Sequence, residues 1–280
     1  MTALALTDAV VAITGGGRGI GLATARAFAA QGARVFLGDL DEQAAKKAAA
    51  EVGGHGFGLD VRSKASFAEF LSAVESIGGP LEVLVNNAGI MPVGRLLDED
   101  DAVTKAIIDV NLRGVIWGLK LALPGMVTRG QGHVVNVASY LGKVPAAGLA
   151  TYCASKHGVV GLSEAVREEL AGTGVSISAV LPSAVRTELT DGVKLGGLLP
   201  TVDPERIAGA VVASCRSRSA VIPVPGWMRA YEPVAALAPY SVLSAIRGRL
   251  TRGRTLTGLD ATARAGYDAR LRTLTEDTGD

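Results

Sequence analysis

Short apolar runs rich in β-branched residues alternate along the chain with longer stretches whose apolar positions recur every three or four residues. Runs at 10–13, 34–38, 56–59, 81–85, 133–138, 175–181 and 220–224 predict about seven strands. The intervening stretches predict helices ending near Gln31, over 41–52, 63–77 and 99–120, from the 150s to about Ala171, and over 203–217. Local signals agree with those bounds. Ser63 stands where a cap belongs, with Phe67, Phe70, Leu71 and Val74 forming one face behind it. Asp203-Pro204 places a capping type before a proline suited to a first turn. Strand–helix alternation at this spacing predicts an α/β fold: a doubly wound parallel sheet with helices on both faces.

The joints between these elements carry the chemistry. After the first strand comes TGGGRGIG at 14–21, and then an Ala-rich helix. Strand, glycine turn and helix form the geometry that seats a dinucleotide pyrophosphate on a helix N-terminus. The spacing is T-G-x-x-x-G-x-G, since position 20 is Ile. Asp39 closes the second strand, 24 residues after Gly15, near the offset at which an acid meets the adenosine ribose hydroxyls. A carboxylate there repels a 2′-phosphate and favours NAD over NADP. Arg18 argues the other way, because a guanidinium beside the turn can accept that phosphate. The plainer reading of Asp39 is a cap for the helix over 41–52. Asp60-Val61 and Asn86-Asn87-Ala88-Gly89 follow strands three and four, at the strand ends where ligands bind in such sheets. Asn111 stands inside a predicted helix, where its propensity is poor, so a buried polar role is expected.

The stretch from Ser139 to Lys156 starts at a strand end and closes inside a helix. Tyr152 and Lys156 are four apart and share one helix face. A lysine charge beside a tyrosine favours the phenolate and draws the phenol towards working pH. With the Ser139 hydroxyl thirteen positions upstream, the set suits moving a proton on or off an alcohol or carbonyl oxygen.

Composition narrows the picture. The chain has 280 residues, 48% hydrophobic and 20% charged, with a net charge of +1, so nothing favours nucleic acid as a partner. Cys153 and Cys215 are the only cysteines, and His55, His133 and His157 show no ligand spacing, so no metal is expected. Cys153 reads as a packed thiol, and Trp117 as core or subunit interface. The N-terminal segment lacks a basic region and cleavage site, and no uncharged apolar run reaches spanning length before the tail, which predicts a cytoplasmic protein.

Several of these motifs coincide in order: TGGGRGIG, Asp60-Val61, NNAG at 86–89, Asn111, Ser139 and Tyr152-x-x-x-Lys156. Together they resemble the short-chain dehydrogenase/reductase family over about residues 8–225. That resemblance implies a Rossmann-like fold, with Tyr152 as general acid/base and Ser139 holding the substrate oxygen. Lys156 would bind the nicotinamide ribose and depress the tyrosine pKa, and Asn111 would anchor a water in a relay with it. The cofactor set would comprise Gly15, Gly17, Arg18, Gly19, Ile20 and Gly21 of the turn, with Asp39, Asp60 and Val61 towards the adenosine. It would continue through Asn87, Ala88 and Gly89 to Tyr152, Lys156 and Pro182, with Val185 and Thr187 holding the carboxamide. Serine at 183 departs from the family's usual Pro-Gly, so the loop there is expected to sit differently. A homodimer or homotetramer is implied through the helices over 99–120 and 152–170.

The expected activity is NAD(H)-dependent interconversion of a secondary alcohol and a ketone or aldehyde. An NADP(H)-dependent ketoreductase, or a dinucleotide-binding regulatory protein without turnover, stands as the alternative. Met91, Val93, Leu141, Val144, Leu189, Leu195, Leu198 and Leu199 lie on segments that rim the expected cleft, which suits a lipophilic substrate. Residues 188–202 read as a lid. The chain divides into a dinucleotide-binding and catalytic unit, 1–225, and a C-terminal extension, 226–280. In the extension, Arg247, Arg249, Arg252 and Arg254 offer peripheral membrane contact. Packing over the pocket or a neighbouring subunit is the favoured reading. An amphipathic helix is expected over 259–274.

Overall fold

The computed structural model describes residues 4–193, 201–230, 233, 237–239, 241–245 and 260–276. Seven parallel strands form one sheet in the order β3-β2-β1-β4-β5-β6-β9. They are β1 (Val10–Thr14), β2 (Arg34–Asp39), β3 (His55–Gly58), β4 (Val83–Asn86), β5 (Gly132–Val137), β6 (Val175–Pro182) and β9 (Val221–Val224). Two short strands, β7 (Ala184–Val185) and β8 (Thr201–Val202), pair separately, so the end of the expected lid is a strand.

Period-two alternation sorts each strand between two cores. Val10, Ala12, Phe36 and Leu84 enter one, with Phe67 and Phe70 of α3 (Lys64–Gly78), Ile107 of α4 (Asp101–Ile108), Leu119 of α5 (Gly114–Arg129) and Val159 of α6 (Ala150–Glu169). Val11, Ile13, Leu37 and Val85 enter the other, with Phe28 of α1 (Gly19–Ala29), Ala48 of α2 (Glu42–Glu51) and Ile207 of α7 (Pro204–Ser217). β1, β4, β5 and β6 are buried throughout, as expected of strands covered on both faces. A last helix, α8 (Ala261–Glu276), crosses back to the carboxyl ends of the strands.

The strand order reverses between β1 and β4, which opens a crevice at their carboxyl ends. The helix expected over 99–120 runs further, as α4 and α5 joined by a π-helical turn, Asp109–Arg113, with Asn111 at its centre. An extra residue in such a turn redirects a side chain without ending the helix. Caps follow local chemistry in part. Ser63 accepts from Ser66 N at 3.2 Å, as predicted. Asp203 sits at the cap position of α7, yet its carboxylate accepts from Arg186 Nε at 2.7 Å and leaves the helix N–H groups alone.

Candidate active site

The glycine turn leaves β1 through Gly15, whose φ of +63° belongs to the left-handed region. A Cβ on Gly21 would collide with the Gly15 carbonyl oxygen, so only glycine lets α1 start this close to the turn. Arg18 occupies the cap position of α1 without a side-chain cap bond. The first-turn N–H groups therefore keep their capacity for an anion. Uncapped donors above a cradle that a Cβ would fill suit a dinucleotide's pyrophosphate. Gly15, Arg18, Gly19 and Ile20 line the cleft, whereas Gly17 and Gly21 lie behind it as structural members of the turn.

Asp39 lines the cleft and is not the helix cap. Its Oδ2 accepts from Gly17 N at 3.0 Å and its Oδ1 from Asp41 N at 3.1 Å. Asp41 takes the capping role, accepting from Ala44 N at 3.0 Å. Arg18 is held by Asp41 at 2.8 Å and Glu188 at 3.5 Å. Burial lowers the Arg18 pKa, but Asp39, Glu188 and Asp41 together raise it above its ordinary value. Asp60 and Val61 line the same end, and Asp60 accepts a two-pronged contact from Arg62 at 2.8 and 3.0 Å.

Asn87, Ala88 and Gly89 form the next stretch of wall. Asn87 Nδ2 donates to the carbonyls of Thr14 and Gly15 at 2.9 and 3.0 Å, tying the strand ends across the switch point. Pro182, Val185 and Thr187 line the opposite side. Ser183 keeps an ordinary negative φ, and its N–H bonds Val224 O at 2.9 Å, so the serine is accommodated without strain.

Ser139, Tyr152 and Lys156 converge in this cleft. Tyr152 and Lys156 are 5% and 4% exposed, which keeps water from both groups. Lys156 Nζ donates to Val137 O at 3.0 Å and lies 5.8 Å from the Tyr152 ring centroid. Asn111 does not line the cleft. It sits one layer behind, fully buried, donating to Ile90 O at 2.9 Å and Ser155 Oγ at 3.2 Å. A Cβ on Gly89 would lie 3.3 Å from Asn111 Oδ1 and 3.5 Å from Lys156 Nζ, so the two side chains meet around that glycine.

The phenol is not drawn towards working pH, contrary to what the helical spacing of Tyr152 and Lys156 predicts. Burial pushes the Tyr152 pKa above its ordinary value, and the Ser139 hydrogen bond only partly offsets this. Burial also brings Lys156 down to about 8, so its own charge is held less firmly than an exposed ammonium.

The remaining wall comes from α8, part of the extension expected to pack over the pocket or a neighbouring subunit. Tyr267, Arg270, Leu271, Thr273 and Leu274 face the cleft. Tyr267 Oη accepts from Met91 N at 2.6 Å, and Arg264 Nη2 donates to Met91 O at 2.6 Å. Arg264 also donates to Asp191 O at 3.2 Å, Arg270 pairs with Glu188 at 2.6 Å, and Arg62 donates to Leu274 O at 2.8 Å. The spacing Arg264, Tyr267, Leu271, Leu274 was a readable stripe, but nothing local said what it faced. Met91, Leu141 and Leu189 of the expected apolar rim do line the cleft, whereas Val144 is in the core and Val93 stands outside. Leu195, Leu198, Leu199, Arg247, Arg249, Arg252 and Arg254 lie outside the described residues. The cleft volume of about 690 Å³ is within the range of small-molecule sites.

The other chemically suggestive side chains are structural. His133 is fully buried between Ser176 Oγ at 2.8 Å and Ser214 Oγ at 3.0 Å. Cys153 is packed, and Trp117 lies against the core with Lys64 and Lys120 near its ring. No helix among the described residues is long and apolar enough to cross a membrane.

The profile of short chain dehydrogenases matches residues 9–195. The chain belongs to the short-chain dehydrogenase/reductase family. Members of this family bind NAD or NADP and act on small molecules. The chain is 31% identical over 268 residues to probable oxidoreductase EphD of Mycobacterium tuberculosis, covering 87% of this chain and 45% of that protein. It thus spans about half the length of that relative. Over 209 residues it is 40% identical to 2-(S)-hydroxypropyl-CoM dehydrogenase 3 of Xanthobacter autotrophicus, covering 72% and 82%. A crystal structure of an actinorhodin polyketide ketoreductase variant with NADPH superposes with a TM-score of 0.71 at 32% identity, covering 78% of this chain and 96% of that one.

Proposed function

We propose that this short-chain dehydrogenase/reductase catalyses NAD(H)-dependent interconversion of a lipophilic secondary alcohol and its carbonyl form. The observation that carries the reading is the convergence of Ser139, Tyr152 and Lys156 in one cleft beside an uncapped helix N-terminus. The bound dinucleotide supplies or accepts the hydride. Gly15, Arg18, Gly19 and Ile20 hold its pyrophosphate side, Asp39, Asp60 and Val61 its adenosine side, and Pro182, Val185 and Thr187 its nicotinamide side.

Tyr152 gives its proton to the substrate oxygen during reduction and takes it back during oxidation. The raised pKa keeps the phenol protonated, as a general acid requires. Ser139 holds both that phenol and the substrate oxygen, and the Lys156 ammonium favours any phenolate that forms. Asn111, braced by Ile90 and Ser155, positions the group behind Lys156. Apolar walls at Met91, Leu141, Leu149 and Leu271 favour a lipophilic substrate and exclude water.

Preference for NAD rests on Asp39 and Asp41 at the ribose end and on Arg18 being already paired with Asp41 and Glu188. The NADP(H)-ketoreductase reading draws on Arg18 lining the cleft and on the NADPH in the solved relative. Parallel fluorescence titrations with NADH and NADPH discriminate the two. Tighter NADH binding, lost in Asp39→Ala, supports the proposal, and tighter NADPH binding overturns the cofactor assignment. Helix α8 of the extension is read as part of the same catalytic unit. Self-association as a dimer or tetramer is expected, and sedimentation velocity reads it.

A further inference from the structure

The hydrogen-bonding capacity of Tyr267 is only half used. A phenol carries one proton and can also accept. Its oxygen accepts from Met91 N at 2.6 Å, which spends an acceptor site and leaves the O–H to point elsewhere. Among the described residues no acceptor takes that proton, although the ring is 8% exposed and faces the cleft. That proton is therefore available to an oxygen entering the cleft.

The position of this hydroxyl is held firmly. Arg264, 4% exposed, bonds the carbonyls of Met91 and Asp191, pairs with Asp268 at 3.2 Å, and lies 4.5 Å from the Tyr267 ring centroid. Met91 is therefore gripped through both its N–H and its C=O by one face of α8. Tyr267 is also close enough to Tyr152 to act on its ionisation. The cleft thus presents two phenols, with Met91, Leu141, Leu149 and Leu271 supplying apolar walls. Tyr152 and Ser139 serve the reacting oxygen, and Tyr267 offers a donor to a different one. Arg264 is engaged on every side, so Tyr267 brings no free positive charge with it, and a neutral acceptor fits better than a carboxylate.

We propose that Tyr267 is a specificity-determining residue, donating its phenolic proton to a second, neutral oxygen of the substrate. The preferred substrate is then a lipophilic compound with two oxygens, the one that reacts and a second carbonyl-type acceptor held at α8. This rests on the oxidoreductase reading above and narrows its substrate class.

The test compares a long-chain methyl ketone with long-chain diketones whose second carbonyl sits at successive carbons. Affinity for the enzyme–NADH complex is read by nicotinamide fluorescence, and kcat/KM by NADH consumption, for the wild-type chain and Tyr267→Phe. The expected result is a wild-type preference for one diketone of at least about tenfold over the monoketone. Tyr267→Phe also takes the acceptor from Met91 N, so both compounds weaken, and the preferred diketone is expected to lose at least about fivefold more affinity than the monoketone. Equal losses on both compounds would reduce Tyr267 to a structural support for Met91 and overturn the proposal. A wild-type chain that binds no diketone more tightly than its monoketone overturns it without any variant. Because affinity is read apart from turnover, tight selective binding without NADH consumption would count against the oxidoreductase reading and not against Tyr267.

Discussion

Asn111 and Ile90 are joined by two hydrogen bonds running in opposite directions. Ile90 N donates to Asn111 Oδ1 at 2.8 Å, and Asn111 Nδ2 donates to Ile90 O at 2.9 Å. The side-chain amide acts as an extra peptide unit for the segment after β4, and the π-helical turn brings it there. Asn111→Leu keeps the branched shape but strands both backbone groups of Ile90. The expected cost is roughly 1–3 kcal/mol for each stranded group, read as a lowered Tm, with kcat falling because Gly89 and Lys156 lose their backing. An unchanged Tm would mean that the strand end does not depend on this pair.

Tyr152→Phe removes one oxygen at the cleft wall and keeps the ring, so it should fold normally. Turnover is expected to fall by about 10²–10⁴, the usual worth of a positioned acid/base. NADH affinity should stay within a few-fold, since the ring remains. Retained turnover would place the proton transfer elsewhere.

The pH profile of carbonyl reduction should be governed by Lys156 on its alkaline side. Its folded pKa is lowered to about 8, so the ammonium is present below that value and lost above it. The Tyr152 phenol, shifted upward, stays protonated across the same range. kcat/KM for reduction is expected to be level below pH 8 and to decline through it. A decline that begins only near the ordinary lysine value would assign the limb differently.

His133 predicts acid sensitivity far from the cleft. Burial, then Arg218, lowers its pKa from 6.5 to about 3. A neutral imidazole completes a chain of bonds, accepting from Ser176 at Nδ1 and donating from Nε2 to Ser214, whose own hydroxyl donates to Val211 O at 2.6 Å. The unfolded chain binds the proton more readily, so this stability is complete above pH 6.5 and is lost as pH falls towards 3. The contribution is on the order of a few kcal/mol. Urea midpoints at pH 7 and pH 5 should differ in the wild type and converge in His133→Gln.

Arg264→Ala should release α8 from the cleft. It removes the bonds to Met91 O and Asp191 O and the contact with Tyr267. Faster amide exchange across Ala261–Glu276 and a raised substrate KM are expected, with the sheet's exchange unaffected. Equal exchange in both proteins would show that the apolar contacts of Leu271 and Leu274 suffice to dock the helix.

Much of the frame was local enough to be read directly. Alternating strands and helices, the Ser63 cap, the glycine turn and the shared face of Tyr152 and Lys156 each depend on residues within a few positions of one another, where periodicity and backbone conformation dictate the outcome. The decisive contacts at the cleft depend on partners far apart in the chain. Asp39 could serve as a ribose-binding acid or as a helix cap by its position alone, until the fold brought it to Gly17 and left the cap to Asp41. Asp203 resembled one too, until Arg186 claimed its carboxylate. The amphipathic stripe of α8 announced a helix and a buried face, but only the tertiary structure joined Tyr267 to Met91, 176 residues away. It likewise set the Tyr152 pKa, because that depends on how much water the whole cleft excludes and not on the neighbouring lysine alone. Sequence spacing determines which side chains share an element, and packing decides which elements share a site.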